Sequence, residues 1–270
     1  MDEGAAGHPP ILRSKHHAAP SVFTPESLLR EARRQKRLGS GAVPEICVLD
    51  PDGDMVRHLL ATGRARKHAG WACYHTDLYV SEVDGYEVGI VGCVVGAAFA
   101  VLVAEELFAS GCRFLLSVTS AGQILPTQAP PYFIVIDRAL RDEGTSYHYL
   151  PPADYSPADA DLVRLGREAL GAAGIAVQVG ASWTTDAPFR ETAEAVDAAM
   201  NAGVLAVEME AAALYAFAAA RGRPVLCFAH VTNQMGRIEG DFEKGIADGA
   251  KESLKAIASV ARCWREQAVA

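Results

Sequence analysis

The sequence predicts an α/β layered fold with a largely parallel or mixed central sheet, and three observations carry that expectation. Short apolar runs of strand length alternate with long amphipathic segments of helix length through most of the chain. Half of the 270 residues are apolar and 21% are charged, enough to bury one substantial core. No internal repeat and no low-complexity linker interrupts the middle. Residues 23–270 are therefore expected to form one domain behind a flexible N-terminal arm, residues 1–22, rich in Gly, Pro and His.

The elements follow in order. Thr24, Pro25 and Glu26 supply an N-cap, a proline at the first helical position and an acid in the first turn. The helix they open, Ser27 to Leu38, carries Arg30, Arg33, Arg34, Lys36 and Arg37, a run best explained as a solvated face. Strands are predicted over Glu45–Leu49, Glu87–Gly92, Arg113–Val118, Tyr132–Asp137, Ala176–Ala181 and Val225–His230, with a further strand-like stretch at Gly203–Val207. Helices are predicted over Met55–Thr62, Ala97–Ser110, Asp159–Ala173, Arg190–Asn201, Met209–Arg221 and Phe242–Gln267.

Composition narrows the function. With 33 acidic against 25 basic residues, the chain gains no general attraction to a phosphate backbone, which argues against a nucleic-acid polymer as partner. A small anion needs only a few local donors and stays possible. The six cysteines form no C-x-x-C pair and mostly lie in apolar runs, so free thiols in a reducing cytoplasm are expected, and no metal site. The N-terminus has early acids and no apolar core segment, unlike a secretory signal. No run approaches the ~18 apolar residues of a membrane span. The expected setting is cytoplasmic and free of membrane.

Four clusters could carry chemistry. Gly53-Asp54-Met55-Val56-Arg57 follows the first strand; a glycine there lets backbone N–H groups approach an anion, and Arg57 adds a charged fork. The bland alternative is a Pro-Asp-Gly turn with a surface arginine. Ser117 to Gln123 ends the third strand, where ligands of open α/β sheets bind, and its hydroxyls suit sugar or phosphate oxygens or an ordinary polar turn equally well. In Val207-Glu208-Met209-Glu210, two acids open an Ala-rich helix that must be buried, so each carboxylate needs hydrogen-bond partners. Capping the helix is one role; holding a pair of ribose hydroxyls is the other. His230-Val231-Thr232-Asn233 ends the last strand, where an amide can both donate to and accept from an aromatic base. Trp183, after another strand, could stack on that base or simply fill core.

Taken together these clusters resemble one family. The segment VEMEAAAL, Val207 to Leu214, resembles the signature of the nucleoside phosphorylase superfamily in its hexameric branch, which holds purine nucleoside phosphorylases, uridine phosphorylases and related nucleosidases. The order of the other motifs is similar too: GDMVR, Val94 to Ala98, SVTSAG, Ser182 to Ala187, VEME, then VTN, with Arg141 to Tyr149 like the family's middle stretch. The resemblance runs from about Glu45 to Ala261. It implies a three-layer αβα domain around a twisted mixed sheet, and a homo-oligomer built from dimers, up to a hexamer, whose subunits complete each other's pockets. It places Gly53, Arg57 and Ser120 at phosphate, Met209 and Glu210 at ribose, and Trp183, Glu208, Thr232 and Asn233 around the base. Glu210 and Asn233 would be the catalytic pair.

The implied reaction is phosphorolysis of a purine or pyrimidine nucleoside, with inorganic phosphate as co-substrate and no cofactor. Four departures qualify it. Ser117 stands where the family has a phosphate-binding arginine, and Tyr74 or His75 where a neighbour lends another. The Gln-x-Arg pair that reads uracil is absent after Asp186, and Asn233 replaces the acid of the hexameric purine enzymes. Hydrolysis, with water as nucleophile, is the alternative; a non-catalytic nucleoside sensor is a third. A dinucleotide-dependent oxidoreductase is disfavoured, because Asp-Pro-Asp-Gly and not G-x-G-x-x-G follows the first strand.

Overall fold

The central strands of the computed structural model are apolar on both sides, and helices cover both sides. The structure describes residues 9–235 and 239–269. In β1 (Ile46–Asp50), Ile46 and Val48 point into one core and Cys47 and Leu49 into another. Each strand side chain alternates between faces, so a strand buried on both faces must be apolar throughout. The first core packs under α3 (Ala97–Ala109) and α6 (Ala211–Arg221). The second packs under α2 (Asp54–Ala61), α4 (Ala160–Ala172) and α7 (Ala250–Val269). This is the expected three-layer αβα arrangement. The two remaining helices are α1 (Pro25–Lys36), which leans on α3, and α5 (Ala193–Asn201), which packs on a smaller core with Trp183. Thr24, Asp159 and Thr192 cap α1, α4 and α5 with side-chain oxygens.

The sheet is mixed. Its strands are β1, β2 (Ala65–Lys67), β3 (Tyr79–Val83), β4 (Tyr86–Gly92), β5 (Phe114–Gln123), β6 (Tyr132–Asp142), β7 (Tyr155–Pro157), β8 (Val177–Thr185), β9 (Ala206–Glu208) and β10 (Val225–Asn233). From β5 the sheet runs one way through β1 and β4 to the antiparallel edge β3–β2. The other way it closes on itself: β5 pairs β10, β10 pairs β6, β6 pairs β8, β8 pairs β9, and β9 pairs β5 again. Five strands thus form a ring, with β7 added on β6.

Closure of that ring explains the main departures from expectation. β5, β6, β8 and β10 all run several residues beyond their predicted ends, into segments such as Thr119–Gln123 and Val231–Asn233 whose polarity suggests loop. Those polar ends make the closing pairs, Gly122 with Val207 and Asn233 with Gly122 among them. Three short strands, β2, β3 and β7, have no counterpart among the predicted elements; β2 is largely exposed, at the edge. The last helix begins at Ala250 and not at Phe242, because Gly245, Ala247, Asp248 and Gly249 all take positive φ and cannot continue a helix. Likewise α6 begins at Ala211, since Glu210 (φ −131°, ψ −38°) has not yet entered the helix.

Residues 1–8 of the N-terminal arm lie outside the described residues. Its continuation packs on the 144–149 segment, where Lys15 Nζ lies 2.9 Å from His148 Nδ1 and His17 Nε2 3.2 Å from Tyr147 O. All six cysteines are free: Cys47, Cys73, Cys112 and Cys227 are buried, Cys263 is half-buried and Cys93 is exposed. Among the described residues no helix is long and apolar enough to cross a membrane.

Candidate active site

The end of β9 lies between the parallel β8 and the antiparallel β5, and this places its acids beside Ser182 and Thr184 on one side and Thr119 on the other. Glu208 ends β9, and its carboxylate is fully occupied. Oε1 accepts from the hydroxyls of Ser182 (3.0 Å) and Thr184; Oε2 accepts from the backbone N–H groups of Glu210 and Ala211, both at 2.7 Å. Thr184 Oγ1 in turn accepts from Ala212 N at 2.9 Å. The first N–H groups of α6 have no partner inside the helix, so an acid two residues upstream satisfies them and sits well in the helix dipole. Of the two acids, Glu208 is therefore the one that caps.

Glu210 is placed differently. It is 1% exposed, and its Oε1 accepts from Gly96 N at 2.7 Å. Gly96 takes φ +92° at the start of α3, a conformation that suits glycine, and this turns its N–H toward Glu210. The other oxygen, Oε2, is buried and has no hydrogen-bond partner among the described residues. The Thr119 hydroxyl lies close enough to favour the Glu210 anion, but its own bond goes to Ser120 O at 3.3 Å. Burial raises the pKa of Glu210, and the charge of Glu208 raises it further. Burial raises that of Glu208 too, against four stabilising donors. Four donors against one decide where a shared proton resides: on Glu210.

A second acidic group lies beside the first, around the start of α2. Gly53 takes φ +75°, and its N–H is used on Asp50 O at 2.9 Å. A side chain here would also collide with Cys93 Sγ, at 2.7 Å from where its Cβ would stand. Asp50 accepts from Val56 N at 2.9 Å; burial, then the nearby Asp52 and Asp54, lift its carboxyl to about 6. Arg57 pairs with Asp54 and is 61% exposed. Ser120 N donates to Asp52 Oδ2 at 3.3 Å, and Lys244 Nζ reaches Asp54 (2.7 Å) and Asp52 (3.3 Å). Asp50, Asp52, Asp54, Ser120 and Lys244 surround a void of about 20 Å³ that His230 also lines; Gly53 and Arg57 do not border it. His230 stacks on Phe133 at 4.5 Å, and burial followed by the Lys244 charge depress its pKa to about 4. Thr119 borders both this void and Glu210, so the two acidic groups adjoin.

The residues assigned to the base lie at the ends of β8 and β10. Trp183 is 5% exposed and packs with Ile124, Val196 and Val204, its indole N–H donating to Asp142 Oδ2 at 3.0 Å. Thr232 is buried. Asn233 Oδ1 accepts from Met235 N at 2.8 Å, and its Nδ2 donates to Thr232 Oγ1 at 3.2 Å. Met209 is half-buried between the two glutamates. Ser117 is buried and its hydroxyl has no partner among the described residues. Gly96, inside the Val94–Ala98 motif, and Asp52, inside the Asp-Pro-Asp-Gly stretch, were given no site role by the sequence, and Lys244 lay in a stretch predicted as helix. Among the described residues no group of three or more His, Cys, Asp or Glu is arranged to hold a metal ion.

A mixed sheet closed into a ring between two helical layers, with a buried acid pair at its rim, sets the class of domain. The chain belongs to the phosphorylase superfamily, whose sequence profile matches residues 45–262. It is 31% identical over 146 residues to a DeoD-type purine nucleoside phosphorylase of Bacillus cereus, a match that covers 53% of this chain and 62% of that protein. The DeoD-type purine nucleoside phosphorylases of Bacillus thuringiensis strain Al Hakam and Bacillus mycoides strain KBAB4 are similar to the same extent. The chain thus spans somewhat under two thirds of the length of these curated relatives.

Proposed function

We propose that the protein cleaves the N-glycosidic bond of a purine or pyrimidine nucleoside, with phosphate as attacking nucleophile. The observation that carries this reading is the free, buried Oε2 of Glu210. An unpartnered carboxylate oxygen in the interior is unfavourable unless it is protonated or receives donors from a ligand. Two vicinal hydroxyls of a ribose supply such donors and displace the proton. The bond from C1′ to the base nitrogen then breaks with its electron pair going to the base, and a phosphate oxygen bonds to C1′ on the other face. Fixing the sugar on Glu210, beside Met209, lets positioning and electrostatics lower the barrier without a cofactor. Thr232 and Asn233 face the departing base in this reading. Trp183 and Glu208 support them from behind, one by packing and one by capping α6. Gly53, Arg57 and Ser120 frame the phosphate side.

Hydrolysis is the second reading, and one observation favours it: carboxylates line the phosphate side. Incubating inosine, adenosine and uridine with and without phosphate, and identifying the sugar, separates the cases. Ribose 1-phosphate supports phosphorolysis and free ribose supports hydrolysis; no product from any of the three leaves only nucleoside binding without turnover. A cytoplasmic homo-oligomer fits the same reading. A stable, active monomer in light scattering would contradict it.

A further inference from the structure

We propose that Asp52 selects the nucleophile, by acting as an intramolecular anion that competes with phosphate for Ser120 N–H and Lys244. The inference rests on the assignment of Ser120 and Arg57 to the phosphate side.

The donors a phosphate oxygen would need are already in use within the chain. The Ser120 backbone N–H points at Asp52 Oδ2, 3.3 Å away. Lys244, from the irregular segment before α7, lies 3.3 Å from that same oxygen and 2.7 Å from Asp54 Oδ2. Burial works against the Lys244 ammonium, but its bonds and proximity to Asp54 and Asp52 outweigh this and raise its pKa. Arg57 is spent on Asp54 and turned largely to solvent. A carboxylate oxygen bound by one backbone N–H and one ammonium has the surroundings of a phosphate oxygen.

Charge and volume point the same way. Asp50, Asp52, Asp54 and Asp248 line the void, against Lys244 as the cation; His230, also facing it, is neutral above about pH 4. A dianion entering here meets carboxylates at close range, where like charges repel strongly. The void, about 20 Å³, has room for roughly one water as it stands. Water enters without displacing anything; phosphate must first lift Asp52 off Ser120 and Lys244. Asp52 therefore keeps phosphate affinity low and gives water its opportunity. Removing the charge at position 52 returns Ser120 N–H to phosphate and leaves Lys244 shared with Asp54 alone.

The test is a direct titration of the full chain with inorganic phosphate by calorimetry, needing no nucleoside. The variants are Asp52→Ala, Asp52→Asn and Lys244→Ala. Phosphate should bind at least tenfold more tightly to both Asp52 variants than to the parent, and more weakly to Lys244→Ala. Asp52→Asn keeps the shape of a partly exposed side chain, so it decides the matter even if Asp52→Ala folds poorly. Equal phosphate affinity in parent and Asp52→Asn, or tighter binding by Lys244→Ala, overturns the proposal. The nucleoside reading fails separately: tighter phosphate binding with no nucleoside cleaved by any variant would leave the competition between Asp52 and phosphate standing and that reading refuted.

Discussion

Glu208 and Glu210 stand among donors, whereas Asp50, Asp52 and Asp54 stand largely among one another. At the start of α6, four N–H or O–H groups converge on Glu208 and one on Glu210, and a single carboxylate oxygen is left over. At the start of α2 three carboxylates share Lys244 and a few backbone N–H groups. The first group is satisfied except where a ligand hydroxyl would bind; the second uses up what an incoming anion would need. The same carboxylate group thus serves opposite ends, and the count of donors per oxygen tells the two apart. In the proposed reading, the ribose side is ready for its ligand and the nucleophile side is guarded.

The largest effect that can break this contrast comes at Glu210. Glu210→Ala should lower kcat/KM on the order of a hundredfold or more, because bonds to substrate hydroxyls are lost where they matter for the transition state. Stability should hold or rise, since a poorly satisfied buried carboxyl is removed. Activity within a few-fold of the parent defeats the ribose role. Glu208→Ala should do the reverse in kind: it strands two hydroxyls and two helix N–H groups, and about 3 kcal/mol or more of stability should be lost in denaturant unfolding. A stable Glu208→Ala protein would show that α6 is capped by something else.

The same pair makes a pH prediction. Folded Glu210 holds its proton above the ordinary carboxylate value of 4.5, so the native state binds a proton that the unfolded chain has released. Stability contributed there falls as pH rises through the window from 4.5 up to the raised value, and Glu210→Ala should flatten that fall. Ribose binding needs the anion, so kcat/KM should drop as pH falls through the raised value. Glu208→Gln removes the neighbouring charge and keeps acceptors for the helix, and the acid limb should move to lower pH. An unmoved limb would assign it to another group.

Much of this arrangement was legible before any coordinates. The apolar strand cores announced themselves because strands covered on both faces carry continuous apolar runs, and two acids before an Ala-rich helix announced a buried carboxylate pair. Which acid caps was not legible: Glu208 and Glu210 are both near the helix start, and only the turn geometry gives the N–H groups to Glu208. The polar halves of β5 and β10 imitated loops because the ring is closed by the same residues that line the site. Asp52 looked like part of a Pro-Asp-Gly turn and Asp54 like the first residue after it, and Lys244 meets Asp54 from 190 positions away in the chain, a contact that local periodicity does not encode.

The smallest effect, and the sharpest on specificity, is expected at Asn233. Its Oδ1 is held by Met235 N–H at 2.8 Å and one of its amide hydrogens by Thr232 Oγ1 at 3.2 Å. One amide hydrogen is left for a base. An amide does not titrate, so it can offer that hydrogen to an acceptor such as the oxygen of a 6-oxopurine or a pyrimidine, but cannot protonate a departing adenine. Asn233→Asp keeps an acceptor for Met235 N–H and lets the Thr232 hydroxyl donate in place of accepting, so the turn should survive. What changes is the group facing the base: an acid that, when protonated, donates to a purine nitrogen. The ratio of kcat/KM for adenosine over inosine should rise by about tenfold, roughly 1.4 kcal/mol, and gain an acid-side pH dependence absent from the parent. Measuring both proteins on inosine, adenosine and uridine across pH decides it. Ratios that stay fixed while the fold is intact would reduce Asn233 to a tie between β10 and the turn that follows it, and a parent that already prefers adenosine would leave the oxo-base preference without support.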